Sequence, residues 1–374
     1  MGKLIEIETF HQQAADWIGT IRAIHRERLG REPTDRELDD HLCWIVSPPL
    51  GSTQWHAEEI TAFVMGLDEY KNRQPPTPQP PAFLERLHCE GTRFLTESGQ
   101  PFYWRGATWF RGFQRFCAGE DVRPGLRWAK ALGVNVLRVL GMFNGNIGRF
   151  IPAEQPSYFG LLDEYFLLLA EEDLRGEFTI FADAQRIMTD VTAQRRFVDQ
   201  VSQVLCLHPN TFEEIGNEYP QNGFKPEDFH KVDGILTSMG SGLGDGPPAL
   251  GGDYLTLHSR RGVDWWCRAP EGSLQDPNVK NNPKGSDWYG FPYPPPNVPI
   301  VLDEPMGAGI EGKDGRDNTP WKHFAFHASA AACRLAGSTL HGDSLINAVV
   351  PTGRELACYE AGARGWAVSL LRPQ

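Results

Sequence analysis

The chain has 374 residues, a formal net charge of −12 and a pI near 5.4. This acidic balance disfavours polyanionic partners, so we expect no binding to nucleic acid and none to an anionic membrane surface. Seven widely spaced cysteines without a C-x-x-C pair indicate neither a disulfide framework nor a thiolate zinc site. No secretory signal opens the chain and no run of about 18 apolar residues could span a membrane, so the sequence predicts a soluble protein. Such a protein would act in the cytoplasm, or outside the cell after lysis or export by another route.

Residues 1–73 are predicted to form a small all-α domain. Thr34-Asp-Arg-Glu37 is a capping box before a run of leucines at helical spacing. The stretches Leu29-Gly-Arg-Glu-Pro-Thr, Glu59-Ile-Thr-Ala-Phe and Asp68-Glu-Tyr resemble short helical modules appended to bacterial surface and phage proteins. Such a module would recruit a protein partner. Residues 74–82 are rich in proline and predict a semi-rigid linker.

Residues 83–374 alternate strand-like and helix-like segments, which is typical of a parallel sheet. About 250 residues suffice for a (β/α)8 TIM barrel, and eight strands can be counted, so we predict the α/β class with that fold. The predicted strands are 102–109, 133–140, 177–183, 211–217, 236–240, 253–258, 298–304 and 338–341. The predicted helices are 124–132, 157–170, 191–207, 226–235 and 320–335.

A long segment rich in Pro and Gly, residues 260–299, follows the sixth predicted strand and carries Trp265 and Trp266. Loops of this length inside a compact domain are usually functional or disordered. Two interpretations stay open. The segment forms a wall of a substrate cleft, or it packs as a flap over the side of the barrel.

Two glutamates are the strongest functional signal. Glu218 in Gly-Asn-Glu-Tyr-Pro and Glu304 in Leu-Asp-Glu-Pro-Met each end a strand-like run and precede a proline. The carboxyl ends of barrel strands form the face on which barrel enzymes carry their chemistry. Two carboxyl groups converging there suit the cleavage of glycosidic bonds.

With these residues in place, the chain resembles the clan A retaining glycoside hydrolases, the group that includes the family 5 cellulases and mannanases. The stretch from Leu87 to Gly106 resembles the opening of those domains, where a small hairpin leads into strand one. In those enzymes an Arg ends strand two, Asn-Glu ends strand four, an aromatic residue or His ends strand six, and Glu ends strand seven. The corresponding residues here are Arg138, Asn217, Glu218, His258 and Glu304.

The resemblance implies a retaining β-glycoside hydrolase acting on a β-linked glucan or mannan, without a metal or organic cofactor. Glu218 would be the acid and then the base, and Glu304 the nucleophile, which Arg138 would keep ionised. Asn217 would bind the sugar 2-OH and His258 would orient Glu304. Further residues expected to bind the substrate are Asp183, Gln185, His341, Trp109, Trp265 and Trp266.

Other interpretations remain. Strand eight lacks the tryptophan that family 5 enzymes commonly place there, and strand three ends without the usual histidine motif. A non-catalytic carbohydrate-binding or virion-associated barrel is the alternative from another functional class. Metal-site alternatives use His323 with His327, or a scattered set made of Asp183, His208, His258 and His341.

Overall fold

A computed structural model describes residues 84–145, 147–242, 248–258, 297–304, 307–309, 318–332, 335–342 and 350–370, together with residues 22, 26 and 32. The predicted helical domain and linker, and residues 260–296 with Trp265 and Trp266, lie outside the described residues apart from those three N-terminal positions. All other described residues belong to the predicted barrel.

In the described part of the chain, eight parallel strands form a nearly closed barrel, and a ninth short strand, Gly307–Ala308, pairs with the last of them. The eight are β1 Trp104–Thr108, β2 Val136–Leu140, β3 Arg175–Phe181, β4 Thr211–Gly216, β5 Leu236–Ser238, β6 Leu255–His258, β7 Ile300–Glu304 and β8 Gly337–Gly342. Their order in the sheet is β5-β4-β3-β2-β1-β8-β7-β6, so that only β5 and β6 remain unpaired with each other. The predicted fold class is confirmed, and each predicted strand lies within a few residues of an observed one.

The gap between β5 and β6 is bridged by bonds outside the ladder. The Asp253 backbone N–H donates to the carbonyl of Thr237 at 2.7 Å. Inside the barrel, the hydroxyls of Ser238 and Thr256 lie 2.9 Å apart. These contacts hold the two ends of the sheet together and complete the wall around the barrel interior.

A three-stranded antiparallel sheet, formed by Leu87–Glu90, Arg93–Thr96 and Pro101–Phe102, covers the N-terminal end of the barrel. Its Phe94 is fully buried, and its ring centroid lies 5.4 Å from that of Phe212 and 5.7 Å from that of Tyr254. Burial of each such ring contributes roughly 2 kcal/mol to stability. The packed rings of Phe94, Phe212 and Tyr254 fill this end of the barrel, which leaves the opposite end as the candidate site.

The helices pack on the outside of the sheet. They are α1 Arg123–Ala131, α2 Tyr158–Glu171, α3 Val191–Leu205, α4 Pro320–Ala332 and α5 Gly353–Leu370, with short helices at Gly112–Cys117 and Ala184–Ile187. The start of α3 is fixed by Asp190, whose carboxylate accepts a bond from the Ala193 N–H at 2.7 Å. Among the described residues, none of these helices has the length and apolar character needed to cross a membrane.

The prediction of a helix over residues 226–235 was wrong. Only a 3-10 turn forms, at Pro226–Asp228. Phe229 then adopts an extended backbone, and its ring packs 5.7 Å from that of Phe181 and 5.9 Å from that of Phe224. Burial of this ring therefore outweighs the local preference for a helix. Gly234, with φ of 93°, then directs the chain into β5.

Helix α5 was not predicted, because its glycines weaken the helical signal. These glycines are required by packing. A Cβ on Gly362 would lie 2.6 Å from Leu340 Cδ2, and one on Gly365 would lie 2.6 Å from the Phe324 carbonyl oxygen. The two positions let α5 approach α4 and β8 closely.

Candidate active site

Arg138 projects from β2 into the centre of the barrel, where its side chain is fully buried. Its Nη2 atom lies 2.7 Å from Oε2 of Glu214 and 2.8 Å from Oδ1 of Asn217. Its Nη1 atom donates to Oε1 of Glu304 at 2.8 Å, and its Nε atom lies 3.1 Å from Oδ2 of Asp303. One guanidinium thus joins the ends of strands β4 and β7.

The charge of Arg138 is fixed by these partners. Burial alone would lower its pKa, but the surrounding carboxylates raise the pKa well above its ordinary value. The ring of Phe110 lies beside the guanidinium, with its centroid 5.4 Å from Cζ. The guanidinium of Arg138 is therefore a permanent cation in direct contact with the carboxylate of Glu304.

A register shift at the end of β7 lets two consecutive carboxylates reach Arg138. Leu257 pairs with Leu302 but His258 pairs with Glu304, so Asp303 is skipped in the ladder between β6 and β7. Regular alternation would place Asp303 and Glu304 on opposite faces of the sheet. Bulges re-aim side chains in this way beside active sites. Here the shift turns Glu304 toward the interior beside Asp303.

Glu218 lies in the turn after β4 with a left-handed backbone, φ of 44°. This conformation costs a non-glycine residue on the order of 1 kcal/mol and persists where neighbouring groups hold it. The backbone N–H of Glu218 donates to Oγ of Ser241 at 3.0 Å. Its carboxylate accepts from Nε2 of Gln221, and its side chain is 19% exposed. Solvent can therefore reach Glu218, while Glu304 is almost fully buried.

His258, at the end of β6, lies between the two glutamates. Its Nδ1 atom is 3.4 Å from Oε1 of Glu218, and its Nε2 atom is 3.8 Å from Oε1 of Glu304 and 3.5 Å from Oδ1 of Asp303. Burial alone would lower the pKa of His258, but Glu304 and Asp303 raise it well above its ordinary value. The protonated ring has a donor on each nitrogen and so faces carboxylates on both sides.

A buried acidic cluster lies beneath the mouth. Carboxylate oxygens of Glu177, Glu214 and Asp303 all lie within 4.8 Å of one another. Burial and the neighbouring Glu214 raise the pKa of Glu177 well above its ordinary value, which favours its neutral form. The oxygens of Glu214 accept bonds from the hydroxyls of Thr179 and Thr256 as well as from Arg138. The guanidinium of Arg138 supplies this cluster with the positive charge that a metal ion would bring.

The other predicted barrel-mouth residues have partners of their own. His341 Nδ1 lies 3.1 Å from the hydroxyl of Thr108, and its ring lies 5.6 Å from that of Phe110. Asp183 accepts a bond from the Asn144 N–H at 2.9 Å, which ties it to the hairpin formed by strands Phe143–Gly145 and Gly148–Phe150. The exposed Gln185 bonds through its backbone N–H to the carbonyl of Asn222, at 3.4 Å.

Trp109 is placed in the core. It is only 4% exposed, and a Cβ on Gly125 of α1 would lie 2.6 Å from its indole ring. The indole therefore faces the helices and is not brought together with the glutamates. The next residue, Phe110, is the one whose ring lies beside the guanidinium of Arg138.

The histidines of the two metal-site alternatives, the scattered set with His208 and the pair His323 and His327, belong to no group of three or more metal ligands among the described residues. His208 lies 2.9 Å from Asp163 on α2, and His327 lies 2.8 Å from the hydroxyl of Ser338. Burial lowers the pKa of His327 well below its ordinary value, which keeps its ring neutral in the core. Within the described part of the chain, the group that could hold a metal ion is the acidic cluster alone.

Several residues of the site were missed from the sequence. Glu214 and Phe110 were within reach, because Glu214 lies on the predicted strand 211–217 and Phe110 directly follows the predicted strand 102–109. Asp303 and Ser241 were not, because their positions depend on the bulge in β7 and on the path of the chain after β5. The missed members are Thr108, Phe110, Glu177, Glu214, Ser241 and Asp303.

Comparison with known proteins identifies the architecture. A family 5 glycoside hydrolase from Bacteroides vulgatus ATCC 8482 superimposes with a TM-score of 0.51 at 16% identity, over 76% of this chain and 68% of that one. The chain shares the fold of that hydrolase. At this identity the likeness establishes the fold, since one barrel fold hosts many chemistries.

Two further solved structures are similar. A β-glucanase from Saccharophagus degradans in complex with cellotetraose has a TM-score of 0.48 at 11% identity, over 79% of this chain and 98% of that one. An endo-1,4-β-mannanase from Eisenia fetida has a TM-score of 0.48 at 12% identity, over 75% of this chain and 95% of that one. No protein-family model matches the sequence, and no curated protein matches it.

Proposed function

We propose that this protein is a glycoside hydrolase that cleaves a β-linked polysaccharide or oligosaccharide with retention of anomeric configuration. Glu218 is the acid and base, and Glu304 is the nucleophile. The observation that carries the proposal is the shared contact of His258 with both glutamates, 3.4 Å from one and 3.8 Å from the other. The barrel fold shared with a family 5 glycoside hydrolase supports the same reaction class.

In the first step Glu304 attacks the anomeric carbon while Glu218 donates its proton to the glycosidic oxygen. The bond from the anomeric carbon to that oxygen breaks, an ester to Glu304 forms, and the released sugar carries the proton. Arg138, 2.8 Å from Glu304, keeps the nucleophile ionised and fixes its position before attack.

In the second step Glu218, now a carboxylate, takes a proton from water, and the resulting oxygen nucleophile attacks the same carbon. The ester bond breaks and Glu304 leaves as a carboxylate, which restores both groups. The partial exposure of Glu218 suits this exchange with water, whereas the burial of Glu304 protects the ester from general hydrolysis.

Asn217 is oriented for substrate. Arginine is only a donor, so the atom of Asn217 that faces Arg138 at 2.8 Å is the carbonyl oxygen. The amide nitrogen is then available to donate to a sugar hydroxyl, and we assign it the 2-OH. His341 and Asp183 extend this subsite. The family resemblance and the aromatic content favour a glucan or mannan substrate.

A panel of polysaccharides and chromogenic glycosides, scored for reducing ends, tests the proposal. Hydrolysis of a member by the unmodified protein, lost by at least about a thousandfold in Glu304→Gln, is expected. The matched control is Glu171→Gln, which removes an exposed carboxylate of α2 and should leave turnover unchanged. Binding without turnover on every substrate would instead favour a non-catalytic carbohydrate-binding barrel.

A further inference from the structure

Ser241 lies just beyond β5 and is fully buried. Three of its atoms bond to the turn that carries Glu218. Its Oγ accepts from the Glu218 N–H at 3.0 Å, and its carbonyl accepts from the Tyr219 N–H at 3.0 Å. Its own N–H faces the Gly216 carbonyl at 3.2 Å. The segment after β5 therefore makes hydrogen bonds to the end of β4 and to the turn that follows it, on both sides of Glu218.

The close approach depends on glycine at position 240. Gly240 has φ of 133°, and a Cβ there would lie 2.7 Å from the carbonyl oxygen of Gly216. A side chain would push the two backbones apart and withdraw Ser241 from the turn. The pair Gly240-Ser241 thus places a hydroxyl at one defined point, opposite the N–H of Glu218.

Ser241 also contacts Glu214, which binds the arginine beside Glu304. Its N–H also lies 3.1 Å from Oε1 of Glu214, whose other oxygen accepts from Arg138 at 2.7 Å. Ser241 therefore contacts the backbone of one catalytic candidate and the carboxylate that fixes the cation beside the other.

We propose that Ser241 is a positioning residue: its hydroxyl holds the left-handed turn at Glu218 so that the carboxyl group reaches the glycosidic oxygen. The inference rests on the proposed function. Without the hydroxyl, the Glu218 N–H loses its acceptor and the turn can relax toward a right-handed backbone, which redirects the side chain. Nucleophilic attack by Glu304 is untouched, so the defect in the first step falls on proton donation alone. Hydrolysis of the ester in the second step, where Glu218 is the base, is slowed equally for every substrate with the same sugar.

This separation predicts a dependence on the leaving group. A sugar leaving group needs the proton, and general acid catalysis is worth about 10² to 10⁴ in rate. A dinitrophenolate leaving group departs without it. Because kcat/KM reports the first step only, Ser241→Ala should lower kcat/KM at least about tenfold on an oligosaccharide and by less than about twofold on the dinitrophenyl glycoside of the same sugar.

The experiment compares kcat/KM on these two substrates for the unmodified protein, Ser241→Ala, Ser241→Cys and the control Ser202→Ala. Ser202 is an equally buried serine of α3 whose hydroxyl bonds Glu213 on the outside of the barrel. Ser202→Ala should alter both rates equally. Ser241→Cys, which keeps a weaker acceptor of similar size, should fall between the unmodified protein and Ser241→Ala, and it replaces the alanine variant if that chain does not fold.

An equal loss on both substrates, or no loss on either, in a folded Ser241 variant would overturn the positioning role while leaving the proposed function intact. Failure of the unmodified protein to cleave any glycoside would overturn the proposed function, and the role of Ser241 with it.

Discussion

Nη1 of Arg138 donates to Oε1 of Glu304 across the barrel at 2.8 Å, and both side chains are buried. The bond joins residues 166 positions apart in sequence. It links β2 to β7 and places a cation beside the candidate nucleophile. The same contact therefore serves the stability of the barrel and its proposed chemistry.

Replacing Arg138 by Met should lower the free energy of unfolding by about 3–5 kcal/mol, because it leaves Glu214, Asp303 and Glu304 buried without their cation. Urea unfolding at pH 7 measures the change. Arg127→Met is the control, since it removes an exposed ion pair with Glu172 and should cost less than about 1 kcal/mol. A loss in Arg138→Met no greater than that of the control would mean that the cluster does not depend on the guanidinium.

The barrel strands could be predicted because strand-like runs alternate along the chain with helix-like segments, which is the pattern of a parallel sheet. The helix Gly353–Leu370 could not, since its glycines are selected by contact with Phe324 and Leu340, residues distant in sequence. The prediction for 226–235 failed for a similar reason. The local sequence favoured a helix, but burial of the Phe229 ring requires an extended backbone at that residue.

The contact of Arg138 with Glu304 could be expected, because both end barrel strands and the family resemblance names them. Asp303 could not, since regular alternation assigns only one of two adjacent carboxylates to the interior. The bulge in β7 that brings both inside is set by pairing with β6. Ser241 likewise acquires its position from the close approach of Gly240 to Gly216, which no local pattern reveals.

Glu213 provides a pH test of stability that is independent of the mouth. Burial raises its pKa from 4.5 to about 7, while the hydroxyls of Ser202 and Thr237 bond it on the outer face of β4. Below pH 4.5 the folded and unfolded states both hold the proton. Between pH 4.5 and about 7 only the folded state keeps it, so the stability due to this group falls as pH rises.

Glu213→Gln removes this titration. Its free energy of unfolding relative to the unmodified protein should therefore rise by on the order of 3 kcal/mol between pH 4.5 and 8. Urea titrations across that range measure the difference, and the exposed Glu171→Gln should show a much flatter one. A difference that stays constant with pH would show that Glu213 titrates normally.

A chain beginning near Pro81 should fold and keep its activity on soluble substrates, since we propose that residues 1–73 form a separate helical domain joined by a linker. The shortened chain must keep residues 85 and 86, which connect the start of the three-stranded antiparallel sheet to the barrel. Arg86 donates to the carbonyl of Gly234 at 2.9 Å, and Arg175 donates to that of Glu85 at 2.6 Å.

Circular dichroism and turnover of the shortened chain give the result. A second chain beginning at residue 88 lacks both ties and should unfold at a lower temperature. If the chain from Pro81 is insoluble or inactive while the full-length protein is active, the N-terminal region and the barrel share an interface, and the proposed domain boundary is wrong.

The stereochemistry of hydrolysis tests the assignment of Glu304 as nucleophile. In retaining enzymes the two carboxyl groups stand about 5–5.5 Å apart, too close for an attacking water, whereas inverting enzymes separate them by about 6.5–9.5 Å. We expect the shorter separation, and therefore retention, because Glu218 follows β4 and Glu304 ends β7 at the same mouth of the barrel, and both lie within 4 Å of His258. Proton NMR of the first product identifies the anomer.

An activated fluoro-sugar should also leave a covalent adduct on Glu304, found by mass spectrometry of its peptide and absent in Glu304→Gln. A first product of inverted configuration would exclude the glycosyl ester and make Glu304 a general base instead.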